Sequence, residues 1–463
     1  MPELSHRFEQ TRFSPFWAET VADKPVLPVL SESIDCDLAI IGAGFTGLWS
    51  ALKARERHPD ARIVVLEARH LADAASGRNG GFCAPSISHG VGNALNRWPD
   101  EAEKLVRLGR ENLDAMEADI ATYGIDAEFE RTGKLNVART AWEADGLGVM
   151  QSGYANFGIE TAILTPSELA SHLESPRYPT GLFEANYAYV NPAKLVHGLA
   201  QACLSRGVAI FQDSRVTGLQ DMGEILSLAT DGGEVLARQV VMATNADVPL
   251  LSHLRRAIIP VYDYTIMSEP LTDTQLQEIG WQGRHGIADS GNQFHYSRKT
   301  ADNRILWGGY DAIYHYGSRR DPDLLHRNET YAGLEATFLD TFPSLKDVRF
   351  SHAWGGIIDT SARLTFFTGT AYGGRLTYAM GFTGQGVTAS RFAALSMLDH
   401  LKDLRTERTE LRMTQSQPVA FPPEPLRSLG IRWAQADLAR EDRTGHRSLM
   451  LCAMDKIGIG FGS

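Results

Sequence analysis

The apolar positions of this chain follow two rhythms, and the points where one gives way to the other mark its elements. Asp37 to Ile41 is a short apolar run that opens on an acid and stops at a glycine, the pattern of a buried parallel strand. Phe45, Leu48, Trp49 and Leu52 then recur at helical spacing, and Arg62 to Leu66 supplies a second strand ending at Glu67. The same helical period predicts a helix from Glu101 to Tyr123, with Leu105, Leu108, Leu113, Met116 and Ile120 near one face and Gly124 to end it. Another starts at the N-cap Asn191, with Pro192 in its first position, and runs to Gly207. Beyond it the runs VAIFQD, RVTGLQ, ILSLATD and VLARQVVMATN alternate with turn residues. They predict a small antiparallel meander returning to a sheet strand, Gln239 to Ala243.

From Arg256 to Trp354 the pattern stays strand-rich. Phe294, Tyr296 and Arg298 fall on one face of a strand and His295, Ser297 and Lys299 on the other, with Thr300 to Asn303 as the turn into RILWGG. Residues 378–401 read as a strand, a cluster of glycines and a helix. Pro15, Pro25 and Pro28 argue for an extended leader over residues 1–35. The segment after Leu411, Pro-rich at first, carries no catalytic signature and reads as a surface strap or an oligomer contact.

The strand, helix, strand and acid of residues 36–67 form a complete unit for holding a dinucleotide. Gly42 lets the chain turn sharply off the strand, Gly44 lets the backbone approach a pyrophosphate, and Gly47 lets the helix pack closely on the sheet. The helix N-terminus offers free N–H groups and positive dipole charge to phosphate. Glu67 is placed to accept hydrogen bonds from a ribose 2′-hydroxyl and would repel a 2′-phosphate.

A chain of 463 residues is too long for one compact core. Its net charge of −11, from 45 basic and 56 acidic residues, leaves no basic surface for a nucleic-acid backbone, so nucleic acid is not an expected partner. Cys36, Cys83, Cys203 and Cys452 are scattered, without CxxC or metal-ligand spacing, so reduced thiols and no metal are expected. A polar N-terminus and the lack of any run of eighteen apolar residues predict a cytosolic chain without a membrane partner. Monomer and homo-oligomer both remain open.

Three glycine motifs stand in order: GAGFTG ending on Glu67, ASGRNGGF at 75–82, and GFTGQGV at 381–387. The set resembles the D-amino-acid-oxidase type of flavoprotein, and in particular the γ-glutamylputrescine oxidoreductase group. The likeness continues through AYVNPAKLVHGLA, HYSRKTADNRILWGG and WGGIIDTSA. It implies FAD as cofactor and an α/β fold: a Rossmann-like FAD-binding domain of the glutathione-reductase-like class, with an inserted α+β substrate domain carrying an antiparallel sheet. The implied division is a leader (1–35), a discontinuous FAD-binding domain (36–95, 188–255 and 355–410), a substrate domain (96–187 and 256–354) and a C-terminal extension (411–463). By the resemblance, Gly42, Gly44, Phe45, Thr46, Gly47, Glu67, Ala68 and Arg69 hold the dinucleotide, and Val216 meets the adenine through its backbone. Ser76, Gly77, Arg78, Asn79, Gly80 and Gly81 run along the flavin, and Gly356 also binds the cofactor. Gly384, Gln385, Gly386 and Val387 lie toward the pyrimidine side, and Gly381 and Thr383 also bind the cofactor. A nicotinamide enzyme would explain only the first motif.

The implied reaction is oxidation of a small-molecule amine by hydride transfer to flavin N5, giving an imine that hydrolyses to an aldehyde. Oxygen, with hydrogen peroxide as product, or another acceptor then takes the electrons. The protein must hold the amine, exclude water and favour the neutral amine. Tyr264, His295, Tyr296 and Trp354 are the candidate side chains for this, although His295 and Tyr296 cannot share a face of one regular strand. Amino-acid oxidases of this type carry a Gly-Leu-Arg-Pro pattern whose arginine holds the substrate carboxylate. Gly356-Ile357-Ile358-Asp359 stands there instead. This favours a polyamine, a γ-glutamyl amine or a similar substrate without a required α-carboxylate. Asp359 reads as a cap or turn residue, or as a holder of a distal cationic group. The alternatives are oxidation of N-methyl or other amino acids, and a non-catalytic FAD-binding subunit of a larger complex.

Overall fold

The computed structural model describes residues 3–456. Parallel strands in the spatial order Ala209–Phe211, Ile63–Leu66, Ile34–Ile41, Glu234–Met242 and Leu376–Met380 form the centre of the first sheet. Strand alternation splits its apolar side chains. Leu38, Ile40, Ile63 and Val65 join one core with the helices Phe45–Arg57, Ala102–Thr122, Pro192–Leu204 and Gly386–Leu401. Ala39, Ile41, Val64 and Leu66 join a second core with the meander Val216–Asp221, Leu226–Thr230. Leu48 and Leu52 are fully buried against the sheet, each contributing about 1.5–3 kcal/mol. Asp119 accepts from Lys53 Nζ at 2.7 Å and from Arg391 Nε at 2.7 Å, a largely buried pairing that fixes the register of three helices.

The predicted helices form almost as read, at Ala102–Thr122 and Pro192–Leu204, the latter capped by Asn191 accepting from Lys194 N. Four features differ. VAIFQD is not part of the meander: Ala209–Phe211 pairs parallel to Ile63–Leu66 at the opposite edge of the sheet. The meander's last strand and the sheet strand are one continuous element, Glu234–Met242. One of its edges pairs with Ile34–Ile41, while its other edge is shared between Leu226–Thr230 and Leu376–Met380. Ala102–Thr122, assigned from sequence to the substrate domain, buries its apolar stripe in the core of the first sheet. The Pro-rich segment after Leu411 is followed by a long helix, Leu426–Thr444, and a short one, Leu449–Lys456; the last residues of the extension, 457–463, lie outside the described residues.

The second sheet has the order Phe350–Ser361, Ile258–Ser268, Ile305–Gly309, His295–Lys299, Gly286–Asp289, Lys134–Ala138, Thr180–Glu184, Thr161–Leu164. It is antiparallel except where Gly286–Asp289 runs parallel to Lys134–Ala138, so the sheet is mixed. Phe350–Ser361 pairs with Ile258–Ser268 along its whole length, so the sequence-read domain boundary at 355 falls inside one strand. The helix Asn328–Thr341 covers one face through Tyr331, Leu334 and Phe338, packed with Trp307, Phe342 and Phe350. The other face looks toward residues 78–82. The leader is largely extended, with short turns at His6–Phe8 and Phe16–Glu19, and it buries Phe8 and Trp17. No described helix is long and apolar enough to cross a membrane.

Candidate functional site

At the carboxyl ends of the parallel strands the glycines leave a groove where side chains would otherwise stand. A Cβ on Gly47 would lie 1.8 Å from the Gly42 carbonyl oxygen, so helix and turn meet backbone to backbone. Gly42 has φ +101° and its Cβ would lie 2.5 Å from the Ala243 oxygen. Phe45 and Thr46 open the helix, and the Phe45 amide donates to Ser76 Oγ at 3.0 Å, joining the first glycine turn to the second. Glu67 accepts from the amides of Ala43 (2.8 Å) and Arg69 (3.0 Å), which orients its carboxylate, while burial pushes its pKa up.

The groove is lined by Gly42, Gly44, Glu67, Ala68, Arg69, Ser76 and Val216, all singled out from sequence. Arg215, Thr244, Asn245 and Asp247 also line it and were not. The abrupt change from apolar to polar after Ala243 was the one signal for the latter three. Thr244 Oγ1 is buried without a partner among the described residues, which suits a polar ligand, as does the acid at the groove.

The second motif is clamped from several sides. Asn79 Nδ2 donates to the carbonyls of Ala75 and Ser76 at 2.9 Å each, and its Oδ1 accepts from Gly81 N at 2.8 Å. Trp17 Nε1 donates to Asn79 O at 2.9 Å and Trp354 Nε1 to Arg78 O at 2.8 Å, so an indole holds each of two consecutive carbonyls. Arg78 donates to Asp73 O and Gly355 O. Buried Arg298 donates to Val190 O at 2.6 Å and Gly80 O at 3.3 Å, with burial pushing its pKa down to about 10. Neither Trp17 nor Arg298 was among the site residues read from the sequence, although the strand face of Arg298 was. Nothing in a proline-punctuated leader marked an indole as a loop clamp.

Asp359 holds the third motif. Its carboxylate accepts from Gly381 N (2.6 Å) and Phe382 N (3.1 Å), and its carbonyl accepts from Thr383 N (3.1 Å). Burial pushes this carboxyl up to about 7 against those hydrogen bonds. Turned into the loop and 1% exposed, Asp359 takes the cap or turn role. Gly381 and Gly384 have positive φ, Gln385 Oε1 is buried without a partner among the described residues, and Gly386 and buried Val387 start the helix Gly386–Leu401. Gly356 faces Arg78, whose Cβ would lie 3.6 Å from a Cβ added there.

The second sheet sorts the four catalytic candidates by face. Tyr264 is 1% exposed, donates to Leu324 O at 2.6 Å and packs on Tyr331, so it belongs to the helix-covered core. His295 is also 1% exposed, with Nδ1 2.8 Å from Asp289 and its ring stacked on Trp307. Both point away from the glycine loop, because residues adjacent on a strand take opposite faces. Trp354 is on the loop side but 2% exposed and engaged with a backbone carbonyl. Tyr296 is on the loop side and partly exposed, its ring beside Gly80 and Phe82. Its hydroxyl donates to Asp263 at 2.6 Å and lies 3.1 Å from Thr265 Oγ1. Asp263, an acid inside the otherwise apolar VYDYTIM, was overlooked in favour of its neighbour Tyr264.

Comparison with known proteins agrees with this architecture. The family described as DAO, FAD dependent oxidoreductase, matches residues 37–399. The chain is 29% identical over 398 residues to γ-glutamylputrescine oxidoreductase of Escherichia coli, covering 84% of this chain and 89% of that protein. It is 29% identical over 378 residues to the probable oxidoreductase OrdL of Haemophilus influenzae, covering 79% and 83%. Among solved structures, glycine oxidase from Geobacillus kaustophilus shares the fold with a TM-score of 0.71 at 20% identity, over 83% of this chain and all of that one. With a family match spanning most of the chain and a glycine cradle that fits a dinucleotide, the protein belongs to the DAO family of FAD-dependent oxidoreductases.

Proposed function

We propose that the protein oxidises an amine whose carboxylate is remote or absent, such as a polyamine or a γ-glutamyl amine. The imine product hydrolyses to an aldehyde, and oxygen, yielding hydrogen peroxide, is the acceptor. FAD, when bound, supplies the two-electron oxidant. The observation that carries this reading is the strand Phe350–Ser361. Its loop-side positions are Gly356, beside Arg78, and Ile358, beside Gly384, and its acid is committed to the Gly381 turn. Arg78 gives its Nε and Nη1 to the carbonyls of Asp73 and Gly355, and Arg298 gives its Nη1 to those of Val190 and Gly80. An α-carboxylate placed there would be desolvated without a partner, at a cost of roughly 2 kcal/mol or more. The 29% identity to an oxidoreductase of γ-glutamylputrescine supports the same substrate class.

In this reading the groove from Gly42 to Val216 takes the adenine and ribose, Ser76 to Gly81 with Gly356 lie along the flavin, and residues 381–387 meet its pyrimidine side. The first sheet with its helices acts as the FAD-binding unit, and the loop-side face of the second sheet orients the amine and excludes water. Anaerobic titration of the FAD-loaded protein with polyamines, γ-glutamyl amines and α-amino acids, followed by flavin absorbance, tests it. Bleaching by the amines alone is expected, and preferential bleaching by α-amino acids would overturn the substrate class. Peroxide release on readmitting air checks the acceptor.

A further inference from the structure

We infer that the carboxylate of Asp263, oriented by Tyr296, is the subsite for a cationic amino group of the substrate. The inference rests on the amine-oxidation reading above. Along the strand Ile258–Ser268, alternation sends Tyr262 and Tyr264 into the helix-covered core and Asp263 and Thr265 to the loop side. An acid in the middle of such a strand costs free energy unless it is compensated. The compensation here is neutral: the Tyr296 hydroxyl at 2.6 Å and the backbone amides of Tyr264 and Gly309. No lysine or arginine among the described residues pairs with it, and Asp311 adds a charge of the same sign.

Tyr296 is itself fixed. Its ring lies over Gly308, where an added Cβ would stand 2.6 Å from Tyr296 Cζ, and beside Gly80, where one would stand 3.1 Å from Cε2. Across the sheet from Asp263 is Gly356, at which an added Cβ would meet only Arg78 Cβ within 4 Å. The carboxylate is therefore preoriented, on a residue that is itself partly exposed, next to the glycine loop and without a lysine or arginine partner among the described residues. An ammonium group supplies that charge together with N–H donors. Burial pushes the carboxyl up to about 6, which still leaves it an anion at neutral pH.

The test uses the FAD-loaded full chain, mixed anaerobically with 1,4-diaminobutane or with the uncharged 1,4-butanediol. Binding is read from perturbation of the oxidised flavin spectrum, and bleaching is read separately. Asp263→Asn, which preserves shape, is expected to raise the half-saturating diamine concentration about 10-fold to 100-fold and leave the diol response unchanged. Asp263→Glu should restore part of the loss. Unchanged diamine binding, or equal weakening of diamine and diol, would overturn the proposal in favour of a structural acid. If the Asn variant fails to retain FAD, Tyr296→Phe carries the test: a several-fold rise for the diamine alone supports the subsite, and equal changes overturn it. Spectral perturbation of the parent protein without bleaching, lost in Asp263→Asn, would uphold the subsite and sink the amine-oxidation reading. A parent with no response to the diamine would sink both.

Discussion

The groove under GAGFTG and the loop-side face of the second sheet border the same glycine loop but are built on different logic. In the groove the decisive residues have no side chain, or use it to bind backbone: Gly42, Gly44 and Gly47 are required by closeness, and Glu67 accepts from two amides. On the sheet the decisive property is which way a side chain points, and that separates Tyr296 from His295 and Asp263 from Tyr264. A backbone-built site tolerates almost no change. A side-chain-built one can be retuned one residue at a time.

The sharpest break should come from Gly47→Ala. Its methyl would collide with the Gly42 carbonyl, backbone against backbone, so a stability loss of about 3 kcal/mol or more and failure to retain FAD are expected from thermal unfolding and flavin content. Normal loading would show that the turn is less tightly built than its geometry requires.

Asp359→Ala comes next, leaving the amides of Gly381 and Phe382 without their acceptor and costing about 1–3 kcal/mol. The pH dependence has a definite sign. Burial pushes this carboxyl up to about 7, so the folded protein keeps a proton that the unfolded chain sheds between about pH 4 and pH 7. The parent should lose stability across that window as pH rises, and the variant should lose less.

Trp354→Phe and Tyr264→Phe sharpen the comparison by removing one donor each, from Arg78 O and Leu324 O, at about 1 kcal/mol. Neither should change the affinity for amines. A selective loss of amine binding in Tyr264→Phe would mean that the helix-covered face reaches substrate after all.

The smallest effect is a pH profile. Facing Asp263 are Tyr296, whose phenol burial and that acid hold well above its usual range; Asp311 after Gly309; and uncharged Gly356 on the neighbouring strand. Affinity for a permanently protonated diamine should therefore rise as pH increases through about 6 and flatten above it. In Asp263→Asn the profile should be flat from the start.

What the linear sequence determined was everything written in local backbone chemistry. The strand, glycines, helix, second strand and Glu67 all lie within residues 36–67, and the face assignment at 294–299 followed from a period of two. The helix Pro192–Leu204 announced itself by its cap and its proline. Only the tertiary structure could decide which face of the second sheet meets the glycine loop, because alternation states that His295 and Tyr296 diverge but not which one diverges toward residues 78–82. The same holds for Trp17 and Trp354, whose indoles reach the carbonyls of Asn79 and Arg78 across 62 and 276 positions of chain. It holds also for Asp359, whose partners are the amides of Gly381 and Phe382. Local rules carry no information about such separations, and a side chain whose partner is distant backbone leaves no signature of that partner in the residues beside it.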